Sequence, residues 1–187
     1  MKRRSKRGAD TQRGRLALAL CAALCLPAGA VAAADPLEYQ VKAAVLYNFA
    51  RFTTWPPSKL AHNTDAIVFC ALEREPLSDV LESAVQGKMI NTHALLFRRV
   101  QRLEEFRNCH VAYLDALEPE RLLRALDALA GSGVLSVYES DATLRSGTIR
   151  LFFEESHVRF EINTAVTERE HLELSSKLLG VARMVRE

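Results

Sequence analysis

Residues 66–72, Ala-Ile-Val-Phe-Cys-Ala-Leu, form an unbroken apolar run. Seven residues suit a strand, and the lack of polar alternation implies cover on both faces, as in a parallel sheet flanked by helices. The flanking sequence agrees. Pro76 opens a helix at its first position, with a stripe of Leu77, Val80, Leu81, Ala84 and Val85 and with Gly87 at its end. Residues 92–100 predict a second strand with an exposed Arg98-Arg99 end, and 109–114 a third. Pro119 starts another helix, with Leu122, Leu123, Leu126 and Leu129 inside and Gly131 beyond; 134–138 is a fourth strand. Strands alternating with helices predict an α/β fold: a mixed, mostly parallel sheet with helices on both faces.

The two ends of the domain read differently. Upstream, Val41, Val45, Phe49 and Phe52 recur at helical spacing, with Ala44 and Asn48 on the same side and Leu46 and Ala50 widening the face. Trp55-Pro56-Pro57 stops this helix, because residues before proline avoid the helical region. Downstream, residues 148–153 and 157–163 flank a polar Glu-Glu-Ser turn, which predicts a C-terminal antiparallel hairpin. Leu174, Leu178, Val181, Ala182 and Val185 then predict a terminal helix.

The first 34 residues stand apart. Residues 1–15 carry seven Lys or Arg against Asp10 alone, and the uncharged run 16–26 follows. Small residues follow Pro27. This order is that of a secretory signal peptide cleaved after Ala32 or Ala34. Eleven residues are too few to span a bilayer, which takes about 20. The full chain is +2, but residues 35–187 hold 18 Lys and Arg against 22 Asp and Glu, a net charge of −4. Such a domain lacks the electrostatic footprint of a nucleic-acid binder. Its 153 residues make one domain. Cys21 and Cys25 leave with the leader. Cys70 and Cys109 remain, either as one disulfide of an exported protein or as two buried thiols.

Motifs of catalysis are missing. There is no Gly-x-Ser-x-Gly, no phosphate-binding glycine loop and no His-Glu-x-x-His. Gly131-Ser-Gly133 precedes a strand and reads as a turn. The histidines at 62, 93, 110, 157 and 171 have no metal-ligand spacing. No enzyme activity, metal or cofactor is expected. Three places suit recognition. Tyr47, Asn48, Arg51 and Trp55 cluster around the end of the first helix, and Trp, Tyr and Arg dominate interface hot spots. In the hairpin, Phe152 and Phe153 point to opposite faces, so one aromatic is left for docking; Glu161 lies on the facing strand. Ser175 and Lys177 begin the last helix, where Ser175 is an ordinary N-cap or, with Lys177, part of an anion site.

Several stretches resemble the YfiR/HmsC family of bacterial periplasmic regulators. They are the first helix with its Trp55-Pro56 end, the Cys70 strand, Gly87-Lys88, Cys109-His110, Phe160-Glu-Ile-Asn163 and Ser175-Ser-Lys-Leu-Leu179. They occur in the family's order over roughly residues 40–185. The resemblance implies an α/β fold without catalytic residues, a Cys70–Cys109 disulfide, and a periplasmic location. It also implies repression of a membrane-bound diguanylate cyclase through contact with its periplasmic part, keeping cyclic-di-GMP low. An OmpA-like outer-membrane lipoprotein and a second copy of the chain are further partners it implies. The second cysteine pair of some members is missing. Tyr47, Arg51, Trp55, Phe152 and Glu161 are thus candidate partner contacts, and Asn48, Ser175 and Lys177 candidate ligand contacts. A small-molecule sensor built from the first and last helix ends is the competing reading.

Overall fold

The computed structural model describes residues 36–62, 64–115, 117–140, 146–154 and 157–186. The expected leader, 1–34, and hairpin-tip residues 155–156 lie outside the described residues. The chain runs α1 (Pro36–Arg51), β1 (Thr53–Thr54), β2 (Ile67–Leu72), α2 (Leu77–Val85), β3 (Met89–Ile90), β4 (His93–Val100), β5 (Val111–Leu114) and α3 (Pro119–Ala128). There follow β6 (Leu135–Glu139), β7 (Ile149–Glu154), β8 (His157–Asn163), α4 (Thr164–Arg169), β9 (Glu173–Leu174), α5 (Ser176–Leu179) and β10 (Met184–Arg186).

Eight strands make the main sheet, in the order β10-β8-β7-β6-β5-β2-β4-β3. The β7–β8 and β3–β4 pairs are antiparallel and the others parallel. The apolar run 66–72 supplies β2, between β5 and β4. Its alternate residues serve two cores, as the period-two pleat requires. Ile67, Phe69 and Ala71 join Leu46 and Phe49 of α1 and Leu77 and Leu81 of α2. Cys70 joins Phe106, Leu122 and Leu126 on the opposite face. Helices therefore cover both faces.

The strand boundaries follow the apolar runs closely, but five expectations need correction. First, α1 is rotated. It buries Ala43, Leu46, Phe49 and Ala50, whereas Val41 is 40% exposed and Ala44 and Asn48 face outward. Second, α1 ends at Arg51, before Trp55-Pro56: Thr53 forms β1, and its hydroxyl donates to the Phe49 carbonyl at 2.7 Å. Third, Leu123 is exposed on the outer side of α3. Fourth, the terminal helix is a single turn, α5. The chain then straightens into β10, which pairs in parallel with Glu161–Asn163 and covers the outer edge of β8. Fifth, α4 and the β1–β9 pair were not anticipated. Asn163 caps α4 by accepting from Val166 N–H at 3.2 Å, and Thr53 faces Leu174 in the small sheet.

Gly147 marks a close approach. A Cβ there would overlap the buried Tyr138 ring. Gly131 and Gly133 take φ of +67° and +66° in the turn after α3, where glycine carries no steric penalty. Buried Glu170 accepts from their N–H groups at 3.0 and 3.1 Å and ties that turn to the end of α4.

Cys70 and Cys109 are disulfide-bonded, with Cα atoms 6.0 Å apart at a sequence separation of 39. The bond joins β2 to the residue before His110 at the entry to β5. Chain entropy for such a loop gives at most about 4 kcal/mol. Replacing both cysteines with alanine is expected to lower the urea-unfolding free energy by up to that amount. A double variant as stable as the parent rejects the bond as a stabilising link.

Candidate functional site

The candidate residues from the sequence fall into separate places. Trp55 is not a surface residue. It is 6% exposed, its indole N–H donates to the His110 carbonyl at 3.2 Å, and its ring meets the His110 ring edge-on at 5.6 Å. The tryptophan expected to dock a partner is therefore a core anchor. Glu161 is also buried. It lies opposite Arg150 across the β7–β8 ladder and holds it at 3.0 and 3.2 Å through both carboxylate oxygens. Arg150 in turn stacks on Phe152, 4.6 Å from the ring centroid.

Tyr47, Arg51 and Phe152 keep accessible surface, but not on one patch. Tyr47 and Arg51 belong to α1, over the face that Ile149 and Leu151 line. Phe152 has the opposite parity on β7 and points to the other face. It is Phe153, 45% exposed, that turns toward α1, with the Lys42 ammonium 5.1 Å from its ring centroid.

The ligand candidates separate likewise. Ser175 N–H donates to the Phe52 carbonyl at 2.9 Å, so the first and last helix ends do meet. However, the Ser175 hydroxyl accepts from Lys177 N–H at 3.3 Å, the ordinary cap, and α5 has only four residues. Asn48 instead faces an open groove of about 890 Å³ between α1 and α2. Tyr39, Tyr47, Ala43, Ala44 and Ala84 are among the residues that line it. Lys88 lies 5.3 Å from the Tyr47 ring centroid at one end, while Asp79 at another is held by Arg99 at 2.7 Å.

A buried polar cluster is the feature that sequence reading missed. Lys42, 3% exposed on α1, contacts Glu38 one turn earlier at 2.7 Å and Glu139 at 2.8 Å. Tyr113 donates to Glu139 at 2.8 Å and lies 3.3 Å from Asp115. Glu75, between β2 and α2, completes the group. Glu75, Asp115 and Glu139 stand at the carboxyl ends of β2, β5 and β6. The chain leaves β2 toward β4 on one side, and β5 leads to β6 on the other, so the cluster sits where the strand order reverses. Ligand crevices of open α/β sheets occur at such points. Burial raises the Glu139 pKa against the pull of Lys42 and raises that of Tyr113 well above its usual value. Burial would lower Lys42, but its bonds to Glu139 and Glu38 outweigh that and raise it. The sequence held a signal: an acid just after each of three parallel strands, and Glu38 and Lys42 at i,i+4 spacing. Among the described residues, no group of three His, Cys, Asp or Glu side chains could hold a metal ion. No helix among them is long and apolar enough to cross a membrane.

Two outcomes follow from these contacts. Burial pushes His110 down to about 4, with its Nδ1 accepting from Val68 N–H at 3.1 Å. The unfolded chain then binds a proton below about 6.5 that the folded chain refuses, so stability is lost as pH falls from 6.5 toward 4. The loss approaches about 3 kcal/mol at pH 4. Relative to a His110→Gln variant, the parent should lose that amount between pH 7 and 4 in urea titrations. Glu161→Ala should cost about 3 kcal/mol by leaving Arg150 buried without its partner. An unchanged melting temperature would restore Glu161 to the list of surface contacts.

No curated protein matches this sequence. Among solved structures, it is similar to a conserved domain protein from Vibrio cholerae, at 10% identity and a TM-score of 0.49, over 79% of this chain and 60% of the other. It is also similar to an ABC domain in complex with L-Trp from Streptococcus pneumonia, at 9% identity, a TM-score of 0.49 and the same coverages. The chain thus spans 60% of the length of each. The YfiR/HmsC-like family matches residues 39–183, from α1 to the entry of β10, and the chain belongs to that family.

Proposed function

We propose that this chain is an exported regulator that lowers cyclic-di-GMP by binding the periplasmic part of an inner-membrane diguanylate cyclase. It acts by contact and carries out no turnover of its own. The observation that supports this reading is membership of the YfiR/HmsC-like family across residues 39–183. An OmpA-like outer-membrane lipoprotein would relieve repression by sequestering the regulator. The accessible side chains suit such contacts. Tyr47 and Arg51 on α1, and Phe152 or Phe153 on the hairpin, offer aromatic and guanidinium groups of the kind that dominate hot spots. Trp55 and Glu161, being buried, serve the fold that presents them.

A second reading, a small-molecule sensor, draws on the α1–α2 groove. Its volume of about 890 Å³ falls in the range of ligand sites, and its walls are aromatic with a few polar groups. The two readings combine if a ligand in the groove changes the partner surface.

Deleting the gene is expected to raise cyclic-di-GMP, increase matrix and reduce motility. Restoring the gene with Arg51→Glu should fail to repress while leaving the melting temperature within about 2 °C of the parent, since surface changes usually alter stability by under about 0.5 kcal/mol. Phe152→Asp should also fail to repress, with a further loss of stability because Arg150 stacks on that ring. Unchanged cyclic-di-GMP in the deletion strain overturns the reading. Repression that survives both substitutions moves the partner contact elsewhere.

A further inference from the structure

Glu75 lies where the chain leaves β2 and turns into α2. It is 6% exposed. Its hydrogen bond is a long one, 3.5 Å from Leu77 N–H to Oε1, and among the described residues no side chain donates to it. Most of the charged groups facing it come from other elements. Asp115 follows β5, Glu139 ends β6, Tyr113 is on β5 and Lys42 is on α1. Glu38, also on α1, reaches the cluster through Lys42. Glu73 and Arg74, on its own turn, are exposed. The Lys42 ammonium is already shared by Glu38 and Glu139. A charged Glu75 would therefore add a carboxylate to a group whose cation is taken.

We propose that a proton on Glu75 is a latch: it holds the first turn of α2 against α1 and the ends of β2, β5 and β6, and its loss lets that turn open. The joint is visible. Glu75 N–H donates to the Leu72 carbonyl at 3.0 Å, and the Ser78 hydroxyl donates to the same oxygen at 3.1 Å. The disulfide pins Cys70 just upstream. The joint thus lies between this anchor and the body of α2. The groove wall at Asp79 and Val80 begins directly after this joint, so acidity reaches the groove through it.

Burial raises Glu75, Asp115 and Glu139 add to the rise, and the Leu77 N–H and Lys42 oppose it; the result is about 7 against an ordinary 4.5. The open turn restores the ordinary value. Opening therefore releases a proton between those limits. The closed turn is most favoured below about 4.5, opening grows up to about tenfold per pH unit through 5 to 7, and it levels off above 7.

The test is amide hydrogen exchange of the full mature chain, read by mass spectrometry from pH 5 to 8 and corrected for intrinsic rates. A peptide covering residues 73–80 should open on the order of 40-fold more at pH 7 than at pH 5, relative to a peptide covering 135–139, and gain only about twofold more by pH 8. Glu75→Gln should flatten this dependence. Asp115→Asn should move its midpoint to lower pH. Equal pH dependence in both peptides, or an unaltered dependence in Glu75→Gln, overturns the latch. If Glu75→Gln does not fold, an unmoved midpoint in Asp115→Asn overturns it instead. A carbon-13 carboxyl titration that finds Glu75 at the ordinary value does the same.

Discussion

A strand whose side chains are buried on both sides has to be covered twice. Ile67, Phe69 and Ala71 need one layer and Cys70 another. This demand places β2 inside the sheet, β4 on one flank and β5 on the other. It puts α1 and α2 over one face and α3 over the second. It also fixes where strand ends gather. Because the connections leave β2 and β5 in opposite directions, the acids following those strands gather at the switch between them, beside Lys42 of α1. The polar cluster is a product of the topology as much as of its residues.

The same cluster sets the seating of α1. An ammonium in the interior requires close partners, because an uncompensated buried charge costs several kcal/mol. Lys42 finds Glu139 on the sheet and Glu38 one turn back. Turning Val41 and Ala44 inward would move Lys42 away from Glu139. The helix accepts an exposed Val41 and keeps the ion pair. Ala43, Leu46, Phe49 and Ala50 then fill the apolar contact. The buried face of α1 thus combines an apolar contact with one fully partnered ammonium.

That competition explains much of what could and could not be read from the residues. β2 and β6 were legible because continuous apolar runs have few other uses, and the 157–163 strand because a polar turn bounds its hairpin. The face of α1 was not, since its rotation depends on a carboxylate 97 positions away. The C-terminal segment carries helical spacing in Leu174, Leu178 and Val181, yet the open edge of β8 offers Met184–Arg186 a ladder of hydrogen bonds. Unpaired strand edges are costly features that proteins cover, and no local pattern announces the cover. For the candidate site, residue type misled. Trp55 and Glu161 have the chemistry of surface contacts, but their partners, the His110 carbonyl just before β5 and Arg150 on β7, lie in other elements. Arg51 is exposed, as a solvated helix end is a local property, while Tyr47 is half-buried against the core.

The disulfide has a topological meaning as well. Cys70 and Cys109 close a covalent ring that contains all of α2, β3 and β4. A protease cutting anywhere within that ring, including the turn that carries Glu75, would leave both pieces attached. The edge of the sheet and the helix above it are thus held twice, by the covalent ring and by the β2–β4 ladder.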